Sequence, residues 1–172
     1  FRSANGIDES NVSEKYDAKS KSISNSQTLP RDYTSQREIE LVISELAEQV
    51  AIRTRRSKKK TQLISLYVGY GFSENKPSIH AQISIEPTHS TQKLTQAILR
   101  LFRDKYASGA VRRIGVSYGR LCDDDFELIS LFDDAQVTQK QETVQDVIDV
   151  IREKHGFLSV QKANSLANGS RV

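Results

Sequence analysis

QLISLYVGY, residues 62–70, alternates strictly: Ile64, Leu66, Val68 and Tyr70 fall on one face, Ser65 and Tyr67 on the other. A period of two is the mark of a strand with one buried face. The segment before it keeps a different period. Across 35–56, Ile39, Val42, Ile43, Leu46, Ala47 and Val50 recur at spacings of three and four, which predicts an amphipathic helix, with Thr34 or Ser35 placed to cap it. Glu38, Glu40, Glu45 and Glu48 lie toward its start, and basic residues crowd its end, as the helix dipole favours. A helix therefore runs almost directly into a half-buried strand.

Working outward, Gly71 through Pro77 turns the chain, and 78–85 alternates again, with Ile79, Ala81, Ile83 and Ile85 against Ser78, His80, Gln82 and Ser84. Residues 90–106 predict a second helix through Leu94, Ala97, Ile98, Leu101 and Phe102. After Gly109, VRRIGVSYG (111–119) sets Ile114, Val116 and Tyr118 opposite Arg113, Gly115 and Ser117. Upstream, KSKSISNSQTL (19–29) is Ser-rich and reads as a loop or an edge strand, broken at Pro30-Arg31-Asp32. The expected fold is α+β in the order β-α-β-β-α-β (ferredoxin-like). Two helices cover one face of a four-stranded sheet, and the other face stays polar and open.

That domain spans 19–122. Residues 1–18 read as a polar tether, 123–135 as an acidic linker, and 136–172 as a tail. Within the tail Val144, Val147, Ile148 and Ile151 mark a shorter helix over 141–155, ending at Gly156. No internal repeat is visible. Hydrophobic residues make up 37% of the 172 and charged residues 27%, which predicts a modest core with polar extensions. The first residue is Phe, so the chain reads as a piece of something longer. No window approaches eighteen apolar residues, and no membrane partner is expected. Cys122 stands alone, which excludes an intrachain disulfide and fits a reducing, cytoplasmic compartment.

Net charge is +3, but residues 1–122 hold 20 Lys/Arg against 12 Asp/Glu, whereas 123–172 hold 5 against 10. A basic front and an acidic rear suggest two partners, the first polyanionic. RTRRSKKK (53–60) carries six positive charges in eight residues. Taken alone it would be a solvated helix end. It adjoins a sheet face of small hydroxyls, amides and an Arg, groups that contact nucleic-acid backbone without reading sequence.

Catalysis finds little support. His80, His89 and His155 show no metal-ligand spacing, and GYG at 69–71 signals a strand end rather than a phosphate loop. Asp123, Asp124 and Asp125 are consecutive, so they point different ways and read as a solvated linker with no core strand to fix them. No metal site is expected. DDDFELISLFDD (123–134) mixes six acids with five large apolar side chains, and Leu131 and Phe132 read as adjacent anchors of a short docking peptide kept soluble by its acids.

KSISNSQTLPRDY, the helix REIELVISELAEQV, the strand pair, VRRIGVSYGRL and SLFDD together resemble the C-terminal part of Y-family translesion DNA polymerases. The branch is the DinB/UmuC-like (ImpB/MucB/SamB) UV-damage repair type of Gram-positive bacteria. The resemblance covers nearly the whole chain. ANGIDES is similar to the end of that family's thumb, and 19–122 would be its little finger, which lies along DNA. It implies primer–template DNA and the replication sliding clamp as partners, in error-prone damage bypass and the SOS response. It also implies Mg2+ held in a palm domain that these residues do not include, with no cofactor and no activity in this piece alone.

On that reading the candidate DNA contacts are Lys21, Ser22, Ser24, Arg53, Arg55, Arg56, Lys58, Lys59, Lys60, Ser65, Tyr67, His80, Gln82, Ser84, Arg112, Arg113 and Ser117. The family's clamp motif, usually Gln-Leu-Ser/Asp-Leu-Phe, aligns with Leu128, Ile129, Ser130, Leu131 and Phe132, with Leu128 in place of the Gln. Two other classes share the strand order. A stand-alone RNA-binding domain would stack bases on aromatics of the central strands, where only Tyr67 is offered. A protein-interaction module would bind without dependence on salt.

Overall fold

The computed structural model describes residues 22–124, 135–161, 163 and 170. Along the chain run β1 (Ile23–Tyr33), α1 (Gln36–Arg56), β2 (Lys59–Tyr70), β3 (Ile79–Thr88), α2 (Thr91–Lys105), β4 (Val111–Gly119), β5 (Cys122–Asp123) and α3 (Ala135–His155). The expected β-α-β-β-α-β order is the observed one. The four main strands lie side by side as β1–β4–β2–β3, every neighbouring pair antiparallel, so β2 and β4 occupy the middle.

The period-two segments form strands because one face of each buries against helices. Ile64, Leu66 and Val68 of β2 and Ile114, Val116 and Tyr118 of β4 are buried with Val42, Ile43, Leu46 and Val50 of α1 and Leu94, Ile98, Leu101 and Phe102 of α2. The Tyr118 hydroxyl donates to the carbonyl of Ala47 at 3.1 Å, which ties the sheet to α1, and burial pushes its pKa well above the usual phenol value. Phe102 is fully buried and stacks on Tyr106 with ring centroids 4.7 Å apart.

Arg103 of α2 grips Glu40 of α1 by two hydrogen bonds, 2.9 and 2.7 Å, and its guanidinium holds that carboxyl below its ordinary pKa. At the far end of the sheet the Ala110 N–H donates to Glu74 at 2.7 Å and lowers that carboxyl too. The neighbouring Gly109 has φ +131°, a conformation β-carbon-bearing residues rarely adopt.

Three features depart from the sequence reading. β1 does not stop at Pro30 but continues to Tyr33, across a register shift between Thr28 and Tyr33. An edge strand tolerates proline because its outer side has no ladder partner to lose. β3, the opposite edge, likewise carries Pro87. Second, the acidic linker begins in ordered structure: Asp123 and Cys122 pair with Lys59 and Lys60 at the start of β2, so a strand does fix Asp123.

Third, α3 begins at Ala135 rather than 141, and it docks on α1 through charge. Asp149 pairs with Arg55 at 2.7 Å and Arg152 with Glu48 at 3.0 Å. Arg152 also donates to the carbonyl of Val160 at 2.9 Å and lies over the ring of Phe157. The apolar residues that reveal the helix in sequence are not the ones that bury deepest: Val144, Val147 and Ile151 are exposed and Ile148 is half-buried, whereas Arg152 is buried.

Candidate nucleic-acid interface

Strand register arranges the open face in rows. Ser24, Ser117, Ser65 and Gln82 are aligned across β1, β4, β2 and β3, and beside them run Ser26, Gly115, Tyr67 and His80. In the third row Arg113 lies between Thr28 and Gly69 and donates to the Thr28 hydroxyl at 3.3 Å. Most of these residues line one shallow groove on the sheet.

Glycine keeps the groove shallow. A β-carbon on Gly69 would stand 2.8 Å from the Tyr67 hydroxyl oxygen, so the ring of Tyr67 occupies the space that a side chain would have filled. His80 packs against the same ring at 4.9 Å, and Ser78 lies within 3.4 Å of its hydroxyl. Tyr67, the aromatic that the central strands contribute to the groove, is thus held down on the sheet. A flat surface of hydroxyls, an amide and an arginine can approach a phosphate backbone closely.

The basic run at 53–60 does not act as a unit. Arg53 is exposed and donates to the carbonyl of Ser24 at 3.0 Å, while Arg56 and Lys58 are exposed. Lys59 pairs with Asp123, and Lys60 with Asp124 at 2.8 Å. Arg55 is a correction: it lies on the helix side, 8% exposed, holding Asp149, the carbonyl of His89 and the hydroxyl of Thr91. Helical spacing accounts for this, since Arg55 follows the buried Ala51 by four and the buried Ile52 by three. Arg112 turns to Asp32 of β1 at 3.5 Å, away from the groove-lining residues.

Ser22 and Ser84 are exposed, and Ser84 accepts from Arg120 at 3.4 Å. Lys21 and the motif Leu128, Ile129, Ser130, Leu131 and Phe132 lie outside the described residues.

Sequence reading missed Ser26, Thr28 and Arg120. Ser26 and Thr28 continue the alternation begun by Ser24, and accepting 23–29 as a strand would have exposed them. Arg120 follows the last residue of β4 with φ +48°, where no periodicity reports its direction. Among the described residues no three or more His, Cys, Asp or Glu gather where they could hold a metal, and no helix is long and apolar enough to cross a membrane.

The family model described as the impB/mucB/samB family C-terminal domain matches residues 20–131. The chain is 34% identical over 168 residues to DNA polymerase IV 2 of Bacillus subtilis (strain 168), covering 96% of this chain and 40% of the relative. It is also 34% identical over 163 residues to the putative UV-damage repair protein UvrX of the same organism, covering 94% and 39%. A solved complex of beta-clamp processivity factor and the little finger domain of PolIV aligns with 66% of this chain and 100% of the solved one, at 12% identity and TM-score 0.48. The chain thus spans about 40% of the length of the two Bacillus relatives. With the whole β-α-β-β-α-β domain inside the matched residues, the chain belongs to the impB/mucB/samB family C-terminal domain.

Proposed function

We propose that this chain grips primer–template DNA by its phosphate backbone through the open sheet face, as the little finger of an error-prone translesion polymerase. The observation that carries the reading is the aligned, glycine-flattened face with Arg113 among its hydroxyls. Arg53 and Arg120 extend positive charge at its margins through their bonds to Ser24 and Ser84. Such groups fix register on a duplex and carry no base information. Nucleotidyl transfer and its Mg2+ belong, in this reading, to other parts of a longer polymerase.

Arg113→Ala should weaken duplex binding equally for all sequences and reduce the slope of log K against log salt by about one, since one phosphate contact contributes about 0.9. Fluorescence anisotropy of a labelled primer–template at several salt concentrations reads both. Loss confined to particular sequences would overturn the backbone grip.

The same reading assigns Leu131 and Phe132 to the replication sliding clamp. Two desolvated anchors contribute on the order of 2–3 kcal/mol each. Phe132→Ala should therefore weaken clamp binding roughly thirtyfold or more while leaving DNA affinity intact. Surface plasmon resonance on immobilised clamp checks it, and unchanged clamp binding would remove the motif from that role.

A further inference from the structure

We propose that the start of the acidic linker is a built-in competitor for the DNA backbone. On this view β5 masks Lys59 and Lys60 until a duplex displaces it. The inference rests on the backbone-grip reading and adds regulation to it.

Three of the six cations in the 53–60 run are already occupied by carboxylates, Arg55 by Asp149 on the helix side and two lysines at the start of β2. Asp123 takes Lys59, and Asp124 takes Lys60 at 2.8 Å. The second oxygen of Asp124 stands 3.4 Å from Nε2 of His89. The backbone repeats the contact: Lys59 pairs with Asp123, Lys60 with Cys122, and the Asp124 N–H donates to the carbonyl of Lys58 at 3.3 Å. A carboxylate on a lysine ammonium supplies what a phosphate oxygen would supply, in the same place.

The clasp is also weak enough to exchange. β5 is two residues long, and the Asp123 side chain is 66% exposed, where an ion pair contributes little and salt screens it. A duplex brings a continuous row of charge to the same corner, where Arg56 and Lys58 are exposed. Exchange then moves the lysines from Asp123 and Asp124 to phosphates and releases β5 from the start of β2. Linkage makes this reciprocal: a partner that draws the linker away frees the lysines and tightens the grip on DNA by the same factor. In sequence the docking peptide Leu131-Phe132 follows Asp124 by seven and eight residues, so one clasp couples the two partners.

The test uses the full chain with labelled primer–template. Asp123→Asn combined with Asp124→Asn should bind about three- to tenfold tighter than wild type, with a salt slope steeper by up to about two. Asp104→Asn combined with Asp146→Asn makes the same charge change at exposed positions and should give a smaller gain. In wild type, saturating DNA should speed hydrogen exchange at the amides of residues 122–124.

Variant affinity equal to wild type, an equal gain in the Asp104/Asp146 control, or amides that stay protected on DNA would each overturn the clasp while salt-steep binding leaves the backbone grip standing. Absence of duplex binding by every form at low salt would overturn the grip, and the clasp with it.

Discussion

Phe102→Ala should lower the stability of the domain by about 3–5 kcal/mol, the range for a large aromatic removed from a packed interior. Phe102 has no exposed surface, stacks on Tyr106, and belongs to the core shared by α1, α2 and the sheet. Removing the ring costs the transfer free energy of its atoms and leaves a void that the surrounding helices and sheet close only in part. Small domains are stable by about 5–15 kcal/mol in all, so the variant approaches its threshold. Urea unfolding followed by far-UV circular dichroism should show a lower midpoint with an unchanged slope. A loss below about 1 kcal/mol would mean that the α1–α2 interface is plastic.

Arg152→Ala should release α3 without unfolding the sheet. Arg152 is buried and joins Glu48 of α1, the carbonyl of Val160 and the ring of Phe157. Deleting one partner of a buried ion pair costs about 3–5 kcal/mol, because the other charge stays desolvated. Undocking relieves that cost locally, so the damage stops at α3. Hydrogen exchange across 144–155 should rise toward that of an isolated helix, while the thermal midpoint of the sheet moves little. Arg152→Lys should rescue only in part, as an ammonium does not present the fork that reaches both Glu48 and Val160. Protection retained in Arg152→Ala would assign the docking to Arg55–Asp149.

The two central strands, both main helices and the polarity of the open face were legible because burial on one side imposes a period, and period is what a sequence displays. Ser65, Tyr67, His80, Gln82, Arg113 and Ser117 fell on the groove for that reason. Arg55 was misplaced because it was read within a charge run instead of by its helical position after Ala51 and Ile52. β5 was invisible: two residues have no period, and what orders them is pairing with lysines more than sixty positions earlier. α3 shows the opposite failure, a clear apolar period on a helix whose seat is built from Asp149 and Arg152. The third row needed 23–29 to be taken as a strand, and its Ser-rich composition left loop and edge strand both open.

The two prolines have a further consequence. Pro30 and Pro87 sit in the outermost strands, one on each side of the sheet. An outermost strand ordinarily offers unpaired amides to any extended chain it meets, and is a template for aggregation. A residue without an N–H interrupts that template on both flanks. The domain can therefore be held at high local concentration with little tendency to zip onto its neighbours strand by strand, and contact between copies is steered away from the sheet's edges.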